Sequence, residues 1–124
     1  MHIVVCVKQI PNPEAAFSML KVDEQGMRVI PAPGLQLVMS PFDEQALEAA
    51  VRIRESLGEA KITALSVGAD SARNVLKHAL AMGADEAILL TDTLLDGASS
   101  EATALALSRA VAQLAGVDLV LTGR

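Results

Sequence analysis

The chain has 124 residues, 52% of them apolar and 2% aromatic, and ten basic against fifteen acidic side chains leave a formal charge of −5. That is enough apolar material for one core, while the acidic balance and the scattered basic residues argue against nucleic acid as a partner. No run of about eighteen apolar residues occurs, so no membrane insertion is expected, and the single cysteine, Cys6, excludes an internal disulfide and fits a reducing, cytoplasmic location.

The opening Met1-His2-Ile3-Val4-Val5 has no cationic stretch before its apolar residues, so it does not read as a signal peptide. Residues 2–8 form a nearly continuous β-branched run, the pattern of a central parallel strand buried on both faces. Pro11 and Pro13 are expected to stop it, because proline removes ladder donors and restricts its neighbour. Residues 18–22 and 27–30 flank Asp23-Glu24-Gln25-Gly26 and predict a small hairpin, part of a peripheral flap over about 14–36.

Ser40-Pro41-Phe42-Asp43 then opens a helix predicted over 40–56. Ser40 suits the cap, Pro41 the first helical position, and Asp43 the carboxylate of a capping box. Such a corner is either a well-made helix start or a wall of a binding site, since free N–H groups and the helix dipole favour an acceptor-rich ligand. Ala46, Ala49, Ala50, Ile53 and Leu57 are expected on the apolar stripe, and Gly58 ends the helix.

Residues 61–68 read as a second strand and tight turn. Ala72, Val75, Leu76 and Ala79 mark a second helix that stops at Gly83, and residues 86–90 a third strand. A third helix is expected over 99–115, with Leu107, Ala110, Val111 and Leu114 inward, and a fourth strand over 117–121.

This alternation predicts an α/β fold with a parallel doubly wound sheet, in strand order 3-2-1-4. Ligands of such sheets sit beyond the carboxyl ends of the strands, where strand order reverses. The loops that qualify are 8–12, 66–69 and 122–124. Cys6, near the end of a buried strand, reads as a small core residue rather than a redox thiol. Lys8 has two readings, solvation of a strand end or control of the charge near a bound cofactor. His2, His78 and Cys6 show no ligand spacing, so no metal is expected, and Asp92, Asp96, Ser99 and Ser100 read as a polar loop and helix cap. No nucleophile and base can be assembled for hydrolysis.

Four blocks carry a family resemblance. Val4-Val5-Cys6-Val7-Lys8-Gln9-Ile10-Pro11 looks like the opening of electron transfer flavoprotein β subunits, and the block from Ser40 to Ala50 resembles that family's Asn-Pro-Phe-Asp-Glu segment. Ala79-Leu80-Ala81-Met82-Gly83-Ala84-Asp85 and Asp118-Leu119-Val120-Leu121-Thr122-Gly123-Arg124 are similar to two further family segments, in the same order.

The resemblance implies a sheet of the adenine-nucleotide-binding, universal-stress-like type and an electron-transfer partner rather than a self-contained catalyst. It implies a heterodimer with an FAD-binding α subunit that carries electrons from dehydrogenases. AMP, or FAD in bifurcating members, would be held by Cys6, Lys8, Ser40, Pro41, Phe42, Asp43, Val67, Gly123 and Arg124. The family's phosphate loop, beginning Gln-Ala-Ile-Asp-Gly-Asp, would follow Arg124, so these residues are expected to form one incomplete domain with weak or absent nucleotide binding. Strand 117–121 is then an open edge suited to self-association. The alternative is a stand-alone universal-stress-like nucleotide-binding module.

Overall fold

A computed structural model describes residues 1–14, 20–23, 28–31, 36–95 and 98–124. In chain order the elements are β1 (His2–Cys6), β2 (Gln9–Pro11), β3 (Leu20–Asp23), β4 (Arg28–Pro31), β5 (Leu37–Met39), α1 (Pro41–Leu57), β6 (Lys61–Val67), α2 (Arg73–Met82), β7 (Glu86–Leu90), α3 (Ser100–Gln113) and β8 (Leu119–Thr122). Short 3-10 turns at Asp70–Ala72 and Thr93–Leu95 lead towards α2 and α3.

β1, β6, β7 and β8 pair in parallel, in the order β7-β6-β1-β8. Ile3 lies level with Ile62 and Leu119, and Val5 with Ala64 and Leu121, so these side chains share one face of the sheet. They join Leu47 and Ala50 of α1 and Val75, Leu76 and Ala79 of α2 in one apolar cluster. The other face carries His2, Val4, Cys6, Thr63 and Leu65, and α3 packs against it at β6. No side chain of α3 is fully buried, and Leu105 is 51% exposed, so the two sides of the sheet are covered unequally. Leu107, Ala110, Val111 and Leu114 are half-buried.

Two expectations shift. The buried stripe of α1 is Asp43, Ala46, Leu47 and Ala50, whereas Ala49 and Leu57 are exposed. A rotation by about one residue turns Asp43 inward, which a stripe counted on apolar residues alone misses. The segment after β1 also continues as β2, antiparallel to β5, with Gln9 opposite Met39 and Pro11 opposite Leu37. Proline is tolerated because this two-stranded ribbon has open edges. The hairpin strands β3 and β4 pair antiparallel, Asp23 opposite Arg28, while its turn, the residues 15–19 and 32–35 of the flap, and Asp96 lie outside the described residues.

A repeated device starts the strands. Asp85 donates its N–H to the Ile62 carbonyl (2.8 Å) and accepts the Ile62 N–H on Oδ2 (2.8 Å). Asp118 does the same for His2, at 2.9 and 2.8 Å. Each aspartate stands two residues after a glycine of positive φ, Gly83 (129°) or Gly116 (65°), the backbone state that glycine adopts without a Cβ penalty. Beside this end of the sheet the buried Thr63 hydroxyl donates to Glu86 Oε1 (2.7 Å), and its oxygen lies 2.8 Å from His2 Nε2. That hydroxyl first, then Lys61, hold the Glu86 carboxyl below its usual range.

Thr63→Val keeps the shape and removes both bonds, so stability near neutral pH should fall by about 1–3 kcal/mol in urea unfolding. Glu86's depressed value means its contribution is present above the ordinary carboxylate range and is lost as pH falls through that value. The gap between the variant and the parent chain should therefore narrow in acid.

Candidate functional site

At the carboxyl ends of β1, β6 and β8 the sheet opens into a crevice of about 700 Å³. Its rim includes Cys6, Lys8, Gln9, Val67, Gly68, Thr122, Gly123 and Arg124. The side towards α3 comes from Leu95, Ala98, Thr103 and Leu107. Strand order reverses between β1 and β8, because the chain moves from β1 to β6 and β7 on one side and returns to β8 on the other.

Asp43 joins the parts. It is 8% exposed, and its Oδ2 accepts the Lys8 N–H (2.8 Å) while its Oδ1 accepts the Gly123 N–H (3.2 Å). Lys8 is held a second time, its carbonyl accepting the Ser40 N–H at 2.9 Å. One residue in the first turn of α1 thus ties the segment after β1 to the segment after β8. Burial pushes the Asp43 carboxyl up, against the downward pull of the two N–H groups and the Lys8 charge. Burial also pushes the Cys6 thiol up, and the neighbouring Asp43 charge adds to this, so Cys6 is not an activated thiolate.

Gly123 is required by contact rather than by φ. A Cβ there would meet Asp43 Oδ1 and come within 2.5 Å of the Phe42 carbonyl carbon and 2.6 Å of the Asp43 nitrogen. The segment after β8 lies directly on the start of α1, and only glycine lets the backbones approach this closely.

Several expectations for the helix start are corrected by this arrangement. Ser40 makes no side-chain cap, and the Asp43 carboxylate reaches across to two other segments instead of back to the cap. The N–H groups of Asp43 and Glu44 both donate to the Ser40 carbonyl (3.0 and 3.1 Å), so the helix end does not offer them to a ligand. Ser99 does cap α3, its Oγ accepting the Ala102 N–H at 3.2 Å.

Of the residues singled out from sequence, Cys6, Lys8, Ser40, Asp43, Val67, Gly123 and Arg124 line the crevice. Pro41 faces a separate groove of about 480 Å³ beside Glu44, Glu48, Arg52 and Met82. Phe42 is 46% exposed, with the Arg124 guanidinium 5.4 Å from its ring centre. The α3 side was missed, although Leu107 carried a signal as an inward position. Gln9 was missed too; it ties the loop after β1 to the turn before α2 through a Ser71 Oγ–H to Gln9 Oε1 bond of 3.0 Å. Among the described residues no group of His, Cys, Asp and Glu has the placement to hold a metal, and His78 sits on the surface, 3.6 Å from Glu44.

Comparison with known proteins adds the following. Residues 29–124 match the model of the electron transfer flavoprotein domain. The whole chain is 42% identical to the electron transfer flavoprotein subunit beta of Megasphaera elsdenii, covering 46% of that protein. It is 39% identical to protein FixA of Azorhizobium caulinodans, covering 43% of it. Identity to the caffeyl-CoA reductase-Etf complex subunit CarD of Acetobacterium woodii is 36%, with 45% of that protein covered. The chain spans less than half the length of these relatives.

Gly123→Ala should push the segment after β8 off the start of α1 and break the bond to Asp43 Oδ1. The expected cost is about 1–3 kcal/mol, together with lost hydrogen-exchange protection at residue 123. Unchanged protection at that amide would show that the approach is not tight.

Proposed function

The chain belongs to the electron transfer flavoprotein family, and on that premise we propose that it is part of a β subunit that holds an adenine nucleotide while a partner flavoprotein supplies the redox cofactor. The observation that carries this reading is the crevice at the reversal of strand order, lined by small and aliphatic residues and flanked by Lys8 and Arg124. The nucleotide is AMP, or a second FAD in a bifurcating parent, and the FAD that carries the electrons otherwise sits mainly on an α subunit. Cys6, Lys8, Ser40, Val67, Gly123 and Arg124 are proposed to face the bound nucleotide. In a complete subunit the partners are that α subunit and the dehydrogenases that deliver electrons.

The chain's own task is binding and orientation, and the electron chemistry is the cofactor's. We read the sheet as the adenine-nucleotide-binding, universal-stress-like type, supported by its parallel pairing and by the position of the crevice. A cytoplasmic site of action is part of the same proposal. Among the described residues no helix is long and apolar enough to cross a membrane.

Among the described residues the phosphate has little to hold it. Lys8 and Arg124 are the cations lining the crevice, Asp43 opposes them with a negative charge, and Gly123 covers the start of α1. AMP should therefore bind with a dissociation constant of about 1 mM or weaker, near 4 kcal/mol of binding free energy. Titration calorimetry giving micromolar affinity would overturn that expectation.

Among the described residues β8 pairs with β1 alone, and Val120 is 43% exposed. We propose that this open edge recruits another strand, from a second copy when no other chain is present. Sedimentation velocity should show a concentration-dependent shift from monomer to dimer. One monomeric species at every concentration would count against it.

A further inference from the structure

We infer that Asp43 is the positioning residue of the crevice, setting the separation of the segments after β1 and β8 with one carboxylate oxygen on each. The two bonds, 2.8 Å to the Lys8 N–H and 3.2 Å to the Gly123 N–H, account for both oxygens. A side chain whose acceptors both face backbone, at 8% exposure, acts on a ligand through those segments rather than by touching it. The segments do not reach each other without it, since β1 and β8 pair only as far as Cys6 and Thr122. The Gly123 contact shows that the fit is tight on the helix side as well.

This arrangement depends on ionisation. A carboxylate accepts strongly at both oxygens, whereas a carboxylic acid turns one of them into a donor that is a poorer acceptor and so weakens its hold on one N–H. Burial already pushes Asp43 towards the acid form. The groups around it are Cys6 and Lys8 on the β1 side, Arg124 beyond β8, and Glu44 on its own helix, which is turned to His78. Thr103 and Leu107, on the α3 side of the crevice, do not titrate. Acid should therefore release one wall of the crevice while the apolar cluster remains.

The holding role stands on geometry, and its effect on a ligand rests on the nucleotide reading above. Asp43→Asn preserves volume but sets an NH2 group against one of the two N–H donors. In native-state hydrogen exchange the Lys8 or Gly123 amide should exchange about tenfold faster or more in the variant. In the parent chain, amide shifts of Lys8 and Gly123 should move together through one acid-range step, and Asp43→Asn should abolish that step. NMR titration with millimolar AMP should give smaller shift changes at Cys6 and Val67 in the variant.

Unchanged exchange at both amides in Asp43→Asn overturns the inference. Loss of AMP-induced shifts with both amides still protected also overturns it, because Asp43 would then be a ligand contact. Faster exchange with no AMP response in either protein, even at AMP concentrations far above the expected dissociation constant, supports the holding role and instead rejects the nucleotide reading. If Asp43→Asn does not fold, the acid step in the parent chain decides, and its absence overturns the inference.

Discussion

One buried carboxylate shared between two backbone N–H groups is the constraint on which the functional end of this molecule depends. Parallel strands are joined by crossovers, so β1 and β8 lie side by side while 112 residues separate the end of one from the start of the other. Nothing in the strand pairing controls how their outgoing segments diverge. Asp43, one turn into α1, does so from a third segment, and the inward rotation of α1 is the packing consequence. A charge removed from water is costly unless it is paired and hydrogen-bonded. Here two N–H donors and the nearby Lys8 charge offset part of that cost without cancelling it.

The opposite end of the sheet uses the same residue type for a different purpose. Asp85 and Asp118 each grip the neighbouring strand with a backbone N–H and a carboxylate, which sets the register of β7 and β8 from outside the ladder. His2, Thr63 and Glu86 continue that polar layer inward. The sheet is therefore anchored at its amino end by two strand-to-strand grips and at its carboxyl end by one grip from a helix. The crevice end has fewer fixed points, and each one matters more.

Much of this was legible. Short apolar runs against helix-period stripes identified the four strands and three helices, and Gly58 and Gly83 stopped their helices as αL or related caps do. The glycine two residues before an aspartate, at Gly83 and Gly116, was in plain view as well, although its meaning required the neighbouring strand. What was not legible depended on partners far along the chain. Asp43 satisfied a local capping pattern, and local pattern cannot reveal that the Lys8 and Gly123 N–H groups each take one of its oxygens. The β2–β5 ribbon was obscured because proline argues against a central strand and says little about an open edge. The α3 side of the crevice escaped because a half-buried amphipathic stripe reads the same whether it covers a core or a cavity.

The uneven cover of the sheet sets how the crevice breathes. The face held by α1 and α2 is densely filled, while α3 has only half-buried side chains to hold it down. Elements with little buried apolar contact open locally at a fraction of the free energy of global unfolding. The side of the crevice that includes Thr103 and Leu107 is consequently its soft side, and the floor formed by β1 and β6 is its rigid one. A molecule seated in the crevice would therefore meet one wall that yields and a floor that does not.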